Sequence, residues 1–160
     1  MKRSVAFAVL ACAMVFSSAA SAAEVRFRGS FTLIAVTNCL ARYVGETFNS
    51  AFRPAGIADN PNITSLSQLN QYSGDVYELA GANLTLGQWI DVEGNGVDNL
   101  HYSFAAKIYM SQMVPAAITT ATTHLNMTGH IYNMGNDPGV AGKKCIAAFR
   151  GAYFRRMEQP

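Results

Sequence analysis

The side chains best suited to chemistry gather in one stretch, Trp89 to Phe104, which reads WIDVEGNGVDNLHYSF. Asp91, Glu93 and Asn95 occupy alternate positions, and Gly96 follows. That order opens a calcium loop, where alternating oxygen ligands precede a glycine. Such a loop must close on a bidentate carboxylate, and the position where one belongs is Tyr102. The half-motif therefore does not make a cation site. A hairpin fits better. Leu84, Leu86, Ile90 and Val92 fall on one side of an alternating strand, with Thr85, Trp89, Asp91 and Glu93 on the other. A three-residue loop, Gly94-Asn95-Gly96, then returns the chain with Leu100, Tyr102 and Phe104 on the apolar side and sets His101 across from Trp89.

On this reading Trp89, Asp91, Glu93 and His101 share an outer face as candidate ligand-binding residues. A ring flanked by carboxylates suits a sugar or another polar ligand. Asp91 and Glu93, about 7 Å apart on one strand face, also have a spacing that some glycosidases use for their carboxylate pair. Other catalytic signatures are absent: the sequence has no nucleotide loop, no G-x-S-x-G, no C-x-x-C and no H-E-x-x-H. His124 and His130 are six positions apart, roughly 20 Å along a strand, too far to share a metal. No catalytic residue, metal or other cofactor is assigned.

Period two dominates the elements that must position these residues. Val25, Phe27, Phe31, Leu33 and Ala35 alternate with Arg26, Arg28, Ser30 and Thr32. Leu125, Met127 and Ile131 oppose Asn126, Thr128 and His130. Ala106, Ile108 and Met110 continue the face of Phe104, and Cys145, Ala147, Phe149, Gly151 and Tyr153 form a last strand. Residues 38–53 fit either a helix or a strand; Gly45 costs a helix about 1 kcal/mol, and a strand with Val44, Phe48 and Phe52 on one face is favoured. Short strands separated by proline- and glycine-bearing turns predict an all-β fold, an antiparallel β-sandwich or partly closed barrel.

Residues 1–23 have the basic start, short apolar core and small-residue end of a secretory signal peptide. Removing them leaves one domain, residues 24–160, with ten basic and ten acidic residues. A balanced charge argues against a nucleic-acid partner, and no stretch of the mature chain is long and apolar enough to span a membrane. Cys39 and Cys145 remain and are expected to pair in an exported, oxidising setting, periplasmic or extracellular. The bond would close a loop of roughly 100 residues, worth about 4–5 kcal/mol in the chain-entropy model.

Charge is uneven along the chain. Six acidic residues and no Lys or Arg lie between Pro54 and Ala106. Lys143, Lys144, Arg155 and Arg156 cluster near the end and form a candidate basic patch for an anionic envelope component or glycan.

The stretch EVRFRGSFTLIAVTNC resembles the opening of chaperone–usher pilins, which begin with such a strand and reach a cysteine about fifteen residues on. The resemblance implies a fibre subunit with an incomplete sheet. Cys145, far from Cys39, and the ending FRRMEQP depart from that family's pattern. The expected function is a non-catalytic binding or envelope module. A pilin-like fibre subunit and a glycan-acting enzyme are the alternatives.

Overall fold

Alternating apolar and polar residues build eight strands in a computed structural model, which describes residues 24–39, 44–70, 76–81, 83–97, 102–133 and 144–156. They are β1 (Phe27–Thr37), β2 (Thr47–Arg53), β3 (Thr64–Asn70), β4 (Val76–Gly81), β5 (Trp89–Val97), β6 (Tyr102–Val114), β7 (His124–Tyr132) and β8 (Ile146–Arg155). Each strand pairs antiparallel with the next, and β1 pairs with β8, so the sheet closes into a barrel. No helix occurs among the described residues. The all-β antiparallel expectation holds; of the two architectures expected, the barrel is the one formed, and it is fully closed.

Closure puts one face of every strand inside. Phe27, Phe31 and Leu33 of β1 meet Phe48 and Phe52 of β2 and Phe149 and Tyr153 of β8, all buried. Their rings interlock, with Phe31 4.6 Å from Phe149 and 5.7 Å from Phe48 between centroids. Leu66, Leu79, Val92, Ile108, Met110, Leu125, Met127 and Ile131 complete the core. Outside lie Arg26, Arg28, Asn49, Asp91, Glu93, Lys107, Asn126 and Arg150, all exposed. Ile34, Leu69, Trp89, Val114 and Phe154 are also exposed on the strands, but the pattern of a mostly apolar inside and a mostly polar outside is the reverse of a membrane-spanning barrel, whose outer band is apolar and whose lumen is polar. No helix among the described residues is long and apolar enough to cross a membrane.

The core is not uniformly apolar. Ser50 donates to the Ser67 carbonyl at 2.9 Å, which leaves the Tyr153 hydroxyl, 3.0 Å away, to donate to Ser50. The Gln68 amide is buried with neither of its polar atoms hydrogen-bonded.

The seam between first and last strands is fastened at both ends. At one end Cys39 and Cys145 form the expected disulfide, with Cα atoms 4.5 Å apart, just beyond the Thr37–Ile146 pair. At the other, the Arg156 N–H donates to the Arg26 carbonyl at 2.8 Å. Buried Asn60 anchors the entry to β1. It accepts from Val25 N–H at 2.7 Å and donates to the carbonyls of Val25 and Pro54 at 2.9 and 2.7 Å.

Several local expectations change. Residues 47–53 form the favoured strand, but Val44 is 50% exposed in a turn made by Gly45 (φ 89°). The β1 register slips between Leu33 and Ala35, so Ala35 is exposed rather than inward. A bulge rotates every later side chain by one position. The strand expected from Leu84 begins only at Trp89. Gly87 (φ 76°) breaks it, and Leu86 is 39% exposed. The larger correction concerns the tip. Gly94, Asn95 and Gly96 lie within β5, not in a turn, and Gly96 pairs with Tyr102. The two glycines point inward and are buried, as small residues do where a narrow barrel must accommodate large neighbours.

Two outcomes follow. Replacing both cysteines by alanine should lower unfolding free energy by about 4–5 kcal/mol, read as a reduced urea midpoint; an unchanged midpoint contradicts the seam's role. Burial raises the Tyr153 pKa well above its ordinary value, partly offset by the Ser50 hydrogen bond. A pKa raised by folding contributes stability below the ordinary tyrosine range, near pH ~10, that is lost as pH climbs from there. Tyr153→Phe should therefore cost about 1 kcal/mol at pH 7 and progressively less above pH ~10, measured by urea unfolding at both values.

Candidate functional site

On the outer face of β5, Trp89, Asp91 and Glu93 point to solvent, as their alternation with buried Val92 requires. Trp89 is 46% exposed. Its cross-strand partner is Tyr109 on β6, not His101; the strands continue past the expected tip, and His101 itself lies outside the described residues. Tyr109 in turn pairs with His130 on β7. Three rings from three consecutive strands therefore share one row. Ring centroids are 5.4 Å apart for Trp89–Tyr109, 6.0 Å for Tyr109–His130 and 6.4 Å for Trp89–His130, all tilted at 45–56°. These are favourable edge and offset distances for aromatic neighbours.

Local sequence explains the row's tightness. Gly129 precedes His130 and faces inward; a Cβ there would collide with the Tyr109 carbonyl oxygen and crowd the Phe149 ring. Glycine lets β6 approach β7 closely at this point. One step on, β6 bulges between Met110 and Gln112, and the Ser111 hydroxyl lies 3.0 Å from both the carbonyl and the hydroxyl oxygens of Thr128. Bulges of this kind re-aim neighbouring side chains.

Charge flanks the rings. Lys107, paired across from Asp91, reaches its carboxylate at 2.8 Å. The hydrogen bond and the charge of Asp91 raise the Lys107 pKa. Both groups are well exposed, so the pair adds little stability. Glu93 carries no ion pair among the described residues. On the far side of β5, Asp91 and Glu93 border a surface depression of about 450 Å³, completed by Ile63, Ala80, Gly81 and Val92. Its outer floor is small because Ala80 is the cross-strand partner of Glu93.

Among the described residues, the members of the expected basic patch stand apart. Lys144 is exposed at one end of the barrel, beside Cys145. Arg155 and Arg156 lie at the opposite end of β8, roughly 30 Å away at the usual rise per residue. The Arg155 guanidinium is spent on the Thr120 carbonyl. Lys143 lies outside the described residues.

Sequence reasoning placed Trp89 on the outer face with its two carboxylates and missed Tyr109 as a neighbour. His130 was assigned to the polar side of its strand, but only the long-range register brings it beside Trp89. No cluster of three or more metal-binding side chains occurs among the described residues. No protein-family model matches the chain, and neither the curated proteins nor the solved structures contain a significant match to it.

Proposed function

We propose that the protein is a non-catalytic, exported binding module that holds a carbohydrate against the outer face of its barrel, over Trp89, Tyr109 and His130. The carrying observation is the contiguous outward-facing row of those three rings, with Trp89 exposed and Tyr109 and His130 half-buried beside it. Other exposed apolar side chains, such as Ile34 and Phe154, belong to no such three-ring row, and a contiguous apolar patch facing water is a mark of a recognition site. Tryptophan and tyrosine present a flat apolar body with a polar tip, suited to a sugar's alternation of C–H faces and hydroxyls. Nearby polar groups supply hydrogen bonds: the ion-paired Asp91 and Lys107 beside the row, and Glu93 at the adjoining depression.

A non-catalytic reading fits the carboxylates. Asp91 is held by Lys107, whereas a glycosidase pair needs one carboxylate as acid and one as base or nucleophile on either side of the scissile bond. The fibre alternative relies on an open sheet edge filled by a neighbour's strand, and here β8 occupies the edge of β1. Export is supported by the disulfide, which belongs to an oxidising compartment, and by the signal-like residues 1–23, which lie outside the described residues. The apolar-in, polar-out pattern of the strands supports a mature chain that does not span a membrane.

Trp89→Ala in the mature protein should weaken binding of its glycan ligand at least about 10-fold, or ~1.4 kcal/mol, in calorimetry after selection on a glycan array. Far-UV circular dichroism should stay unchanged. Glycan binding that is indifferent to Trp89→Ala, or absent across the array, contradicts the proposal.

A further inference from the structure

The aromatic row does not stop at His130. Trp89, Tyr109, His130 and Ala148 are successive partners across β5, β6, β7 and β8, and Ala148 pairs onward with Ala35 of β1. At about 4.8 Å per strand, Trp89 and Ala148 are roughly 14 Å apart across the surface. The row thus begins with three rings and ends on two alanines, a drop in height where a bound chain has room to lie.

Arg150 stands at the edge of that drop. It is the next outward residue of β8 after Ala148, and it pairs with Thr128 of β7 and Thr32 of β1. Its diagonal neighbour on β7 is therefore His130, a spacing of about 7–8 Å that long side chains bridge. Arg150 is exposed and has no hydrogen bond or ion pair among the described residues. Its nearest outward neighbours are Ala148, Ala152, Thr32 and Thr128, none of them acidic. Lys107, the cation at the opposite end, is already neutralised by Asp91. The strip is consequently polar in one direction: rings and a satisfied ion pair at the Trp89 end, an uncompensated guanidinium at the other.

We infer that the ligand of this face is an acidic glycan, whose neutral sugars lie on the rings and whose carboxylate or sulfate group reaches Arg150. The inference rests on the carbohydrate-binding reading above. A guanidinium offers a planar fork of donors that matches two oxygens of either group at once, a geometry that an ammonium lacks. Arg150 then sets specificity, and Trp89 sets affinity for the chain as a whole.

The test compares a neutral oligosaccharide with its uronic-acid and sulfated counterparts of equal length. Each is titrated calorimetrically into the wild-type mature protein and the Trp89→Ala, Arg150→Ala and Arg150→Lys variants. One acidic counterpart should bind the wild type about 10-fold more tightly than the neutral chain at low salt, the effect of one charge-assisted contact at an exposed site. Which of the two shows the preference identifies the anionic group. Arg150→Ala should abolish the preference and leave neutral-chain affinity within about twofold; Arg150→Lys should keep part of it. Raising the salt concentration should shrink the preference in the wild type and what remains of it in Arg150→Lys, with no such effect in Arg150→Ala. Equal binding of neutral and acidic chains by the wild type overturns the inference and leaves the carbohydrate reading intact. So does a loss on Arg150→Ala that is the same for both. Failure of every chain to bind, or binding unaffected by Trp89→Ala, overturns the carbohydrate reading and this inference with it.

Discussion

Everything in this molecule depends on the pairing of its first strand with its last. β1 and β8 share a ladder from Phe27–Arg155 to Thr37–Ile146, although more than a hundred residues of chain separate Cys39 from Cys145 beside it. Bringing such distant segments together has a loop-closure cost that contacts between sequence neighbours do not have. The disulfide removes much of that cost by restricting the unfolded chain. Asn60 and the Arg156–Arg26 hydrogen bond hold the other end. With the seam closed, the eight described strands leave no sheet edge open to pairing with another chain, and one face of each strand is removed from water together with the others.

Closure also decides where function can reside. Five large rings, Phe27, Phe31, Phe48, Phe149 and Tyr153, are fully buried inside. An eight-stranded barrel has an interior just wide enough to be filled by side chains or to hold one small ligand. Here aromatic side chains take up much of that space, which is why the proposed recognition site lies on the outer wall. That wall is a continuous sheet, so side chains from several strands can be set in rows at fixed spacing. The Trp89–Tyr109–His130 row is such a construction, tightened by Gly129 and the neighbouring bulge in β6. Its position on rigid strands, not on loops, favours a preformed platform.

Much of the fold was legible because alternation is local. Val25, Phe27, Phe31 and Leu33 were assigned inward, as were Leu125, Met127, Ile131 and the whole Cys145-to-Tyr153 series, and all are buried. The disulfide followed from the two cysteines that remain once the signal-like residues 1–23 are set aside. Trp89 was placed outward by the same alternation. What local pattern does not carry is register over distance. Gly94 and Gly96 have the composition of a turn, yet they are inward residues of a strand that needs small side chains, so the expected tip fell several residues early. That displacement set His101 opposite Trp89 and concealed Tyr109. Bulges at Ile34 and Ser111 shift the alternation without any marker in composition. The barrel itself rested on the β1–β8 pairing, which no short stretch of sequence encodes.

The central claim is that recognition takes place on the outer wall and not within the barrel. Titrating an isotopically labelled mature protein with its selected oligosaccharide, followed by amide and side-chain NMR shifts, tests this most directly. The account predicts that the shifts concentrate at the Trp89 indole, Tyr109, His130 and Arg150, with the interior Ser50, Gln68 and Tyr153 signals unmoved. Shifts concentrated at Ser50, Gln68 and Tyr153, with the Trp89 indole unchanged, would place the ligand inside the barrel and contradict it.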